Sequence, residues 1–142
     1  MSRSRADVAV VRRHLSALDR AMRQLRQHTG RPLEAVTGDL DERWVVERGL
    51  QVCAQKALDI ATHLCAGLGR SVPGYATAID VLGEEGVVPL EFARRFRSVA
   101  GFRNVLVHEY LEVDLGLLHT FLNQGLPDFE QFAECVQTWL ER

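Results

Sequence analysis

Polar side chains of the types that cleave phosphodiesters are concentrated in one stretch of the chain, at Arg103, Asn104, His108 and Tyr110. On an α-helix Asn104 and His108 are four residues apart and share a face. Arg103 and His108 are about 140° apart around such a helix, so the long arginine side chain or a loosened helix end must bring them together. The spacing therefore predicts a polar patch of Arg, Asn, His and Tyr.

These side chains suit one reaction, the attack of an RNA 2′-hydroxyl on its own phosphate. Imidazole side chains titrate near neutrality, so a histidine at position 108 can move the proton. Guanidinium groups are cationic, so an arginine at position 103 can stabilise the developing oxyanion. Asn104 can fix the tautomer of the imidazole through a hydrogen bond. This chemistry needs no metal ion, and the sequence lacks a cluster of carboxylates spaced to hold one. The alternative is that His108 ends a helix and Arg103 is a solvated charge.

Helices must position this patch, because apolar residues recur at helical spacing. A first helix is predicted by an apolar stripe that ends before Gly30: Val8, Val11, Leu15, Leu18, Met22 and Leu25. A second helix, with Asp41 as its N-cap, carries the same kind of stripe until Gly67 and Gly69: Val46, Leu50, Cys53, Ala57, Ile60 and Leu64.

The rest of the chain also has a helical period. A third helix is predicted over about residues 75–82, and a fourth begins at Pro89 and continues to about Tyr110. Asp114 is placed to cap a fifth helix, and Pro127 opens a sixth. Because no stretch alternates with a period of two, we expect an all-α fold: an antiparallel bundle of about five to six helices forming one domain over residues 1–142. Long stripes of this kind are typical of ordinary packing within a bundle. A small bundle can also leave apolar surface that only a second copy buries, so a homodimer is a secondary expectation.

Composition excludes several classes of protein. The 142 residues are 46% hydrophobic and 25% charged, which excludes a disordered chain. The net charge of −2 provides no overall attraction to nucleic acid or to membranes. No stretch approaches the roughly 18 apolar residues of a membrane span, and the first apolar run is too short for a signal peptide. We expect a cytoplasmic protein without a membrane partner.

Arginine accounts for almost all of the basic residues, since Lys56 is the single lysine among the 17 Lys and Arg. Arginine is a planar phosphate binder, but the codon bias of a GC-rich genome explains such an excess equally well. Arg94, Arg95 and Arg97 precede the polar patch on the predicted fourth helix. They either extend positive potential toward bound RNA or form a solvated face.

Other residue types that carry chemistry have weaker patterns. The cysteines Cys53, Cys65 and Cys135 are odd in number and lack a C-x-x-C pair, so we interpret them as reduced, buried thiols. Asp59 and His63 are four residues apart, a spacing seen in metal sites and in hydrogen-bonded pairs; without a third ligand a structural hydrogen bond is favoured. The remaining histidines have no evident partners in the sequence: His14, His28 and His119.

The octapeptide RNVLVHEY at 103–110 resembles the R-x4-H-x-Y signature of the HEPN superfamily, specifically of its HepT-like branch. The segments 47–52 and 57–63 are similar to the second helix of that family, and the resemblance covers about residues 8–114. It implies an all-helical, dimeric, metal-independent endoribonuclease that acts as a toxin.

The resemblance also implies roles for particular residues. Arg103 and His108 would be catalytic, with Asn104 as the polar residue beside them, and the dimer would place two motifs at one cleft, which Asp59 and His63 could line. The usual partner is an MntA-like nucleotidyltransferase antitoxin, which would use its own ATP and Mg²⁺ to transfer AMP to Tyr110. This chain would need no cofactor.

The sequence leaves two other functions open. A non-catalytic helical module could bind and position a nucleotidyltransferase without cleaving RNA. A small-molecule enzyme could use Asp59 and His63 to hold a metal ion.

Overall fold

The structure is a computed structural model that describes residues 5–108 and 113–142, with side chains from Asp7 onward. These residues form helices and no strand: α1 Arg5–Arg26, α2 Leu33–Thr37, α3 Leu40–Gly67, α4 Tyr75–Glu84, α5 Leu90–Phe96, α6 Val99–Val107, α7 Leu115–Thr120, a π-helical segment Phe121–Gly125, and α8 Leu126–Leu140.

The predicted all-α bundle is confirmed. The six predicted helices correspond to α1, α3, α4, α5 together with α6, α7 and α8, and the five-residue α2 is additional. In the described part of the chain no helix is both long enough and apolar enough to cross a membrane.

The two longest helices, α1 and α3, pack along much of their length and supply much of the core. Leu18 and Leu25 on α1 are fully buried, as are Leu50 and Leu58 on α3. At Gly49 the helices come so close that an added Cβ would lie 2.6 Å from a Leu25 methyl carbon. This close contact sets α3 firmly against α1, and α3 also packs on α6.

The N-terminus of α3 differs from the prediction by two residues. Asp39, not Asp41, is the N-cap, and its carboxylate accepts hydrogen bonds from the backbone N–H groups of Asp41 and Glu42. Asp41 lies in the first turn, where a negative charge interacts favourably with the helix dipole. Both residues are of the capping type, so the sequence pattern alone could not separate them.

The predicted continuous fourth helix is wrong, because the chain forms two helices, α5 and α6, separated by a turn at Arg97 and Ser98. The Ser98 hydroxyl donates to the carbonyl of Arg95 at 3.2 Å. A serine side chain that bonds to the preceding turn competes with regular helix hydrogen bonding. The polar patch is therefore carried by a short separate helix, α6.

The C-terminal helices contact α6 through an aromatic pair. Phe102 on α6 and Phe121 in the π-helical segment stack with ring centroids 3.7 Å apart and planes 2° apart. Such segments contain one residue more than a regular α-helical turn, which breaks the period that links α7 to α8. The sequence pattern did not predict it.

Candidate active site

Arg103 is half-buried and its guanidinium is held from three sides. Its Nε–H donates to Gln55 Oε1 on α3 at 2.8 Å, and its Nη1 donates to Asn104 Oδ1 at 3.1 Å. Its central carbon lies 5.3 Å from the centroid of the Tyr75 ring on α4. Arg103 is thus fixed where α3, α4 and α6 meet, which excludes the alternative of a freely solvated charge.

His108 lies at the point where α6 ends. Its backbone N–H still donates to the carbonyl of Asn104 at 3.2 Å, but its own backbone has left the helix, with φ −82° and ψ 80°. The helix therefore ends at His108 itself, and the expected approach of Arg103 and His108 stays a prediction. The His108 side chain is exposed and so accessible to a substrate.

Asn104 is next to both residues. Its side-chain amide oxygen accepts a hydrogen bond from Arg103 Nη1, and its backbone carbonyl accepts one from the backbone N–H of His108. The predicted hydrogen bond that would fix the imidazole tautomer stays a prediction, as do the catalytic roles of Arg103 and His108. Tyr110, the predicted AMP acceptor, lies outside the described residues.

Gln55 and Tyr75 are site residues that the sequence did not identify. The Gln55 amide nitrogen donates to Asp59 Oδ1 at 2.8 Å and to the Tyr75 hydroxyl at 3.4 Å, while the amide oxygen accepts from Arg103. The four-residue spacing of Gln55 and Asp59 on α3 was a usable signal, since such pairs bond along a helix.

Asp59 and His63 do not act as one pair. Asp59 accepts from Gln55, whereas His63 Nε2 lies 3.3 Å from Asp7 Oδ1 on α1. His14 lies near both: burial lowers its pKa below the ordinary value, and the charge of Lys56 lowers it further, against the opposing effect of Asp59. These side chains form a mixed-charge cluster between α1 and α3, next to Gln55.

No group of three or more His, Cys, Asp or Glu side chains is arranged to hold a metal ion within residues 7–108 and 113–142. Two histidines whose partners were not evident from the sequence have them in the fold. His28 Nδ1 lies 2.9 Å from Glu42 Oε1, and His119 Nε2 lies 2.8 Å from the carbonyl oxygen of Arg31.

The three arginines ahead of the patch differ in their partners. Arg95 binds both carboxylate oxygens of Asp128, and Arg97 binds both of Asp80. Arg94 is exposed and forms no ion pair within the described part of the chain. Their predicted role in RNA binding stays a prediction.

The cysteines are free thiols. Cys53 and Cys65 are buried as predicted, whereas Cys135 is half-buried. Burial raises the pKa of Cys53 to about 12, and burial also raises the pKa of Cys65 and Cys135. Since the thiolate is the nucleophile, none of the three is suited to nucleophilic catalysis at neutral pH.

An all-helical bundle that holds an arginine on a short helix and a histidine at the end of that helix, five residues apart, is the arrangement that the HEPN motif predicts. The chain matches the family model described as "Ribonuclease HepT-like" over residues 18–136. It therefore belongs to the HepT-like ribonuclease family, and the predicted resemblance is confirmed.

The curated relatives agree with this assignment. The chain is 24% identical over 133 residues to "tRNA nuclease HepT" of Aphanizomenon flos-aquae, a match that covers 92% of this chain and 90% of the relative. It is 26% identical over 89 residues to "mRNA nuclease HepT" of Shewanella oneidensis, which covers 62% of this chain and 67% of that one. Both names support the prediction that the chain is an enzyme of the ribonuclease class.

Among solved structures, the tri-AMPylated HEPN toxin of Shewanella oneidensis, in complex with an MNT antitoxin, has the same fold. The TM-score is 0.79 at 22% identity, over 91% of this chain and 97% of the toxin chain.

Proposed function

We propose that this chain is a metal-independent endoribonuclease toxin that uses Arg103 and His108 at a dimer cleft. The observation that carries the proposal is the way in which Arg103 is held. Seven other arginines pair with carboxylates in the described part of the chain: Arg23, Arg26, Arg31, Arg43, Arg70, Arg95 and Arg97. Arg103 is held by two neutral amides and an aromatic ring.

This difference matters for catalysis. A carboxylate that fixes an arginine also neutralises it, whereas an amide fixes the guanidinium and leaves its charge for a phosphate. In the proposed reaction His108 takes the proton of the 2′-hydroxyl, the 2′-oxygen attacks phosphorus, and the P–O5′ bond breaks. Arg103 stabilises the charge on the non-bridging oxygens, and the 5′-oxygen leaves and takes up a proton. The products are a 2′,3′-cyclic phosphate and a 5′-hydroxyl.

The test is cleavage of tRNA and mRNA by the purified chain in EDTA. We expect activity in the wild type and a loss of roughly 10²- to 10⁴-fold in Arg103→Ala and in His108→Ala, the range typical of removing an oxyanion donor or a general base. Far-UV circular dichroism shows whether each variant is folded. Full activity in both folded variants would refute the proposed roles, and no turnover by wild type with any RNA would favour the non-catalytic module.

The partner is proposed on the basis of the structural relatives. A toxin of the same fold is AMPylated in its complex with an MNT antitoxin. We propose that a nucleotidyltransferase of this class, using its own ATP and Mg²⁺, transfers AMP to Tyr110 of this chain in the cytoplasm. We propose that the added anion offsets the charge of Arg103 that binds RNA phosphate.

Mass spectrometry after incubation with the antitoxin, ATP and Mg²⁺ tests this step. The wild type should gain multiples of the mass of AMP, whereas Tyr110→Phe should stay unmodified. Modification of the wild type at another residue, with Tyr110 unchanged, would contradict the assignment.

The homodimer also stays a proposal, and one surface supports it. Leu40, Trp44 and Val45 form an exposed apolar strip at the start of α3, with Trp44 58% exposed. Trp44 and Gln55 lie on the same side of α3, about 16 Å apart along its axis, so the strip runs toward Arg103. A second copy packed on the strip would bury these apolar side chains. Light scattering on wild type and on Trp44→Glu measures the mass in solution.

A further inference from the structure

We propose that Gln55 is the positioning residue of Arg103, and that Asp59 in turn orients Gln55. The inference rests on the proposed function, since it assigns residues that set the geometry of the catalytic arginine. Three hydrogen bonds carry it: Arg103 Nε to Gln55 Oε1 at 2.8 Å, Gln55 Nε2 to Asp59 Oδ1 at 2.8 Å, and Gln55 Nε2 to the Tyr75 hydroxyl at 3.4 Å.

Position 55 requires an amide for a reason of hydrogen-bond chemistry. A guanidinium can only donate, and an ionised carboxylate can only accept. Gln55 lies between the guanidinium of Arg103 and the carboxylate of Asp59, so its amide oxygen must face Arg103 and its amide nitrogen must face Asp59. Apolar side chains satisfy neither neighbour, and glutamate satisfies Arg103 but repels Asp59. The amide orientation is thus determined by its two charged neighbours.

The arrangement also selects which part of Arg103 is available. Gln55 binds the Nε–H, and the Tyr75 ring covers the guanidinium, with the central carbon 5.3 Å from the ring centroid. Asn104 Oδ1 accepts a hydrogen bond from Nη1 of Arg103, and among the described residues Nη2 donates no hydrogen bond. The guanidinium is therefore fixed by its inner edge, which leaves its outer edge for a phosphate oxygen. Displacement of a catalytic group by about 1 Å costs up to roughly 100-fold in rate.

The first measurement does not depend on cleavage. In an NMR spectrum of the arginine Nε–H groups, the Arg103 resonance is assigned by its disappearance in Arg103→Lys. We expect the wild-type proton to be protected from exchange with water and the protection to be lost in Gln55→Met, which keeps the size of the side chain. Gln137→Met is the matched control, because Gln137 makes the same kind of bond, to Glu141 at 3.0 Å, on α8.

The second measurement is the steady-state rate of RNA cleavage. Gln55→Met should lower kcat roughly 10- to 100-fold and change KM less, whereas Gln137→Met should leave both unchanged. In the Arg103→Ala background, Gln55→Met should cause no further loss, because a residue that acts through Arg103 has nothing left to position.

A rescue experiment separates positioning from packing. Gln55→Glu combined with Asp59→Asn exchanges the amide and the carboxylate, so that an acceptor still faces Arg103 and a donor still faces position 55. We expect the double variant to recover the Nε–H protection that Gln55→Met loses, whereas kcat should stay low because a carboxylate at position 55 neutralises Arg103. Asp59→Asn alone should weaken both, because an amide at position 59 can also present its donor to Gln55.

The possible outcomes are distinct. Unprotected Nε–H in wild type, or equal losses of kcat from Gln55→Met with and without Arg103, would overturn the inference. Loss of protection in Gln55→Met without a change in kcat would show that the contact does not serve catalysis and would also overturn it. Inactive wild type with a protected Nε–H would refute the proposed function, and the positioning role with it, while leaving the contact as a structural one.

Discussion

At Gly83, α4, which carries Tyr75, lies close against α5, which leads to α6. A Cβ added at Gly83 would lie 2.7 Å from Ala93 Cβ and 3.3 Å from a Leu90 methyl carbon. Ala93 is buried and its methyl group has no rotamer that avoids the contact. Because carbon atoms pack at about 3.5–4.0 Å, Gly83→Ala requires α4 and α5 to separate by roughly 1 Å.

The expected cost follows from two opposing effects. Overpacking of this kind costs about 1–3 kcal/mol, and replacing a helical glycine by alanine stabilises by about 0.5–1 kcal/mol. Gly101 on α6 provides the matched control, because an added Cβ there meets nothing within 4 Å. Both variants share the helix-propensity gain, so we expect Gly83→Ala to be about 1–3 kcal/mol less stable than Gly101→Ala.

Thermal unfolding followed at 222 nm measures this difference. An unfolding entropy of about 2.1 cal/mol/K per residue amounts to roughly 0.3 kcal/mol/K for 142 residues, so the Tm of Gly83→Ala should lie about 3–10 °C below that of Gly101→Ala. Ala93→Gly in the Gly83→Ala background removes the opposing methyl and should show a coupling free energy of the size of the overpacking cost. Equal Tm values for Gly83→Ala and Gly101→Ala, or no coupling to Ala93, would refute the close approach of α4 and α5.

Two further predictions concern charge. Because the pKa of His14 is lowered in the fold, the unfolded chain binds more protons than the folded chain as the pH falls through about 6.5. The Tm of the wild type should therefore drop between pH 7.5 and 5.5. The drop should be smaller in His14→Gln. An equal drop in both would show that other groups cause it. Arg94→Ala should reduce the slope of log affinity against log salt for single-stranded RNA by about 0.7, the value for one phosphate contact, whereas Arg97→Ala should reduce it less, because Asp80 already neutralises Arg97. A larger reduction of the slope in Arg97→Ala than in Arg94→Ala would contradict this prediction.

The periodicity of apolar residues was sufficient to predict the helices that build the core. The stripes on α1 and α3 are continuous, and most of their residues are buried. The break between α5 and α6 could not be predicted in the same way, because Phe96 and Val99 keep helical spacing across it and both are buried. There the local bond of the Ser98 hydroxyl interrupts the helix, although the hydrophobic pattern continues.

Only the part of the candidate site on α6 and at its C-terminal end was predictable from the sequence. Arg103 and His108 are close in sequence, so a helical projection relates them without a tertiary structure. Gln55 lies 48 residues before Arg103, and Tyr75 is on a third helix. Their contacts depend on the packing of α3 and α4 against α6, which no spacing within one helix encodes.

The excess of arginine is another feature whose meaning depends on tertiary contacts that the sequence does not encode locally. Composition could not distinguish a phosphate-binding arginine from one that reflects codon usage, because the side chains are identical and only their partners differ. Arg97 and Arg103 are six residues apart, yet Arg97 faces a carboxylate and Arg103 faces amides. A carboxylate paired with an arginine offsets its positive charge, which weakens the attraction of that arginine for an RNA phosphate. In the proposed reaction Arg103 would bind a phosphate without giving up an ion pair to any described residue, while its neutral partners hold it in place.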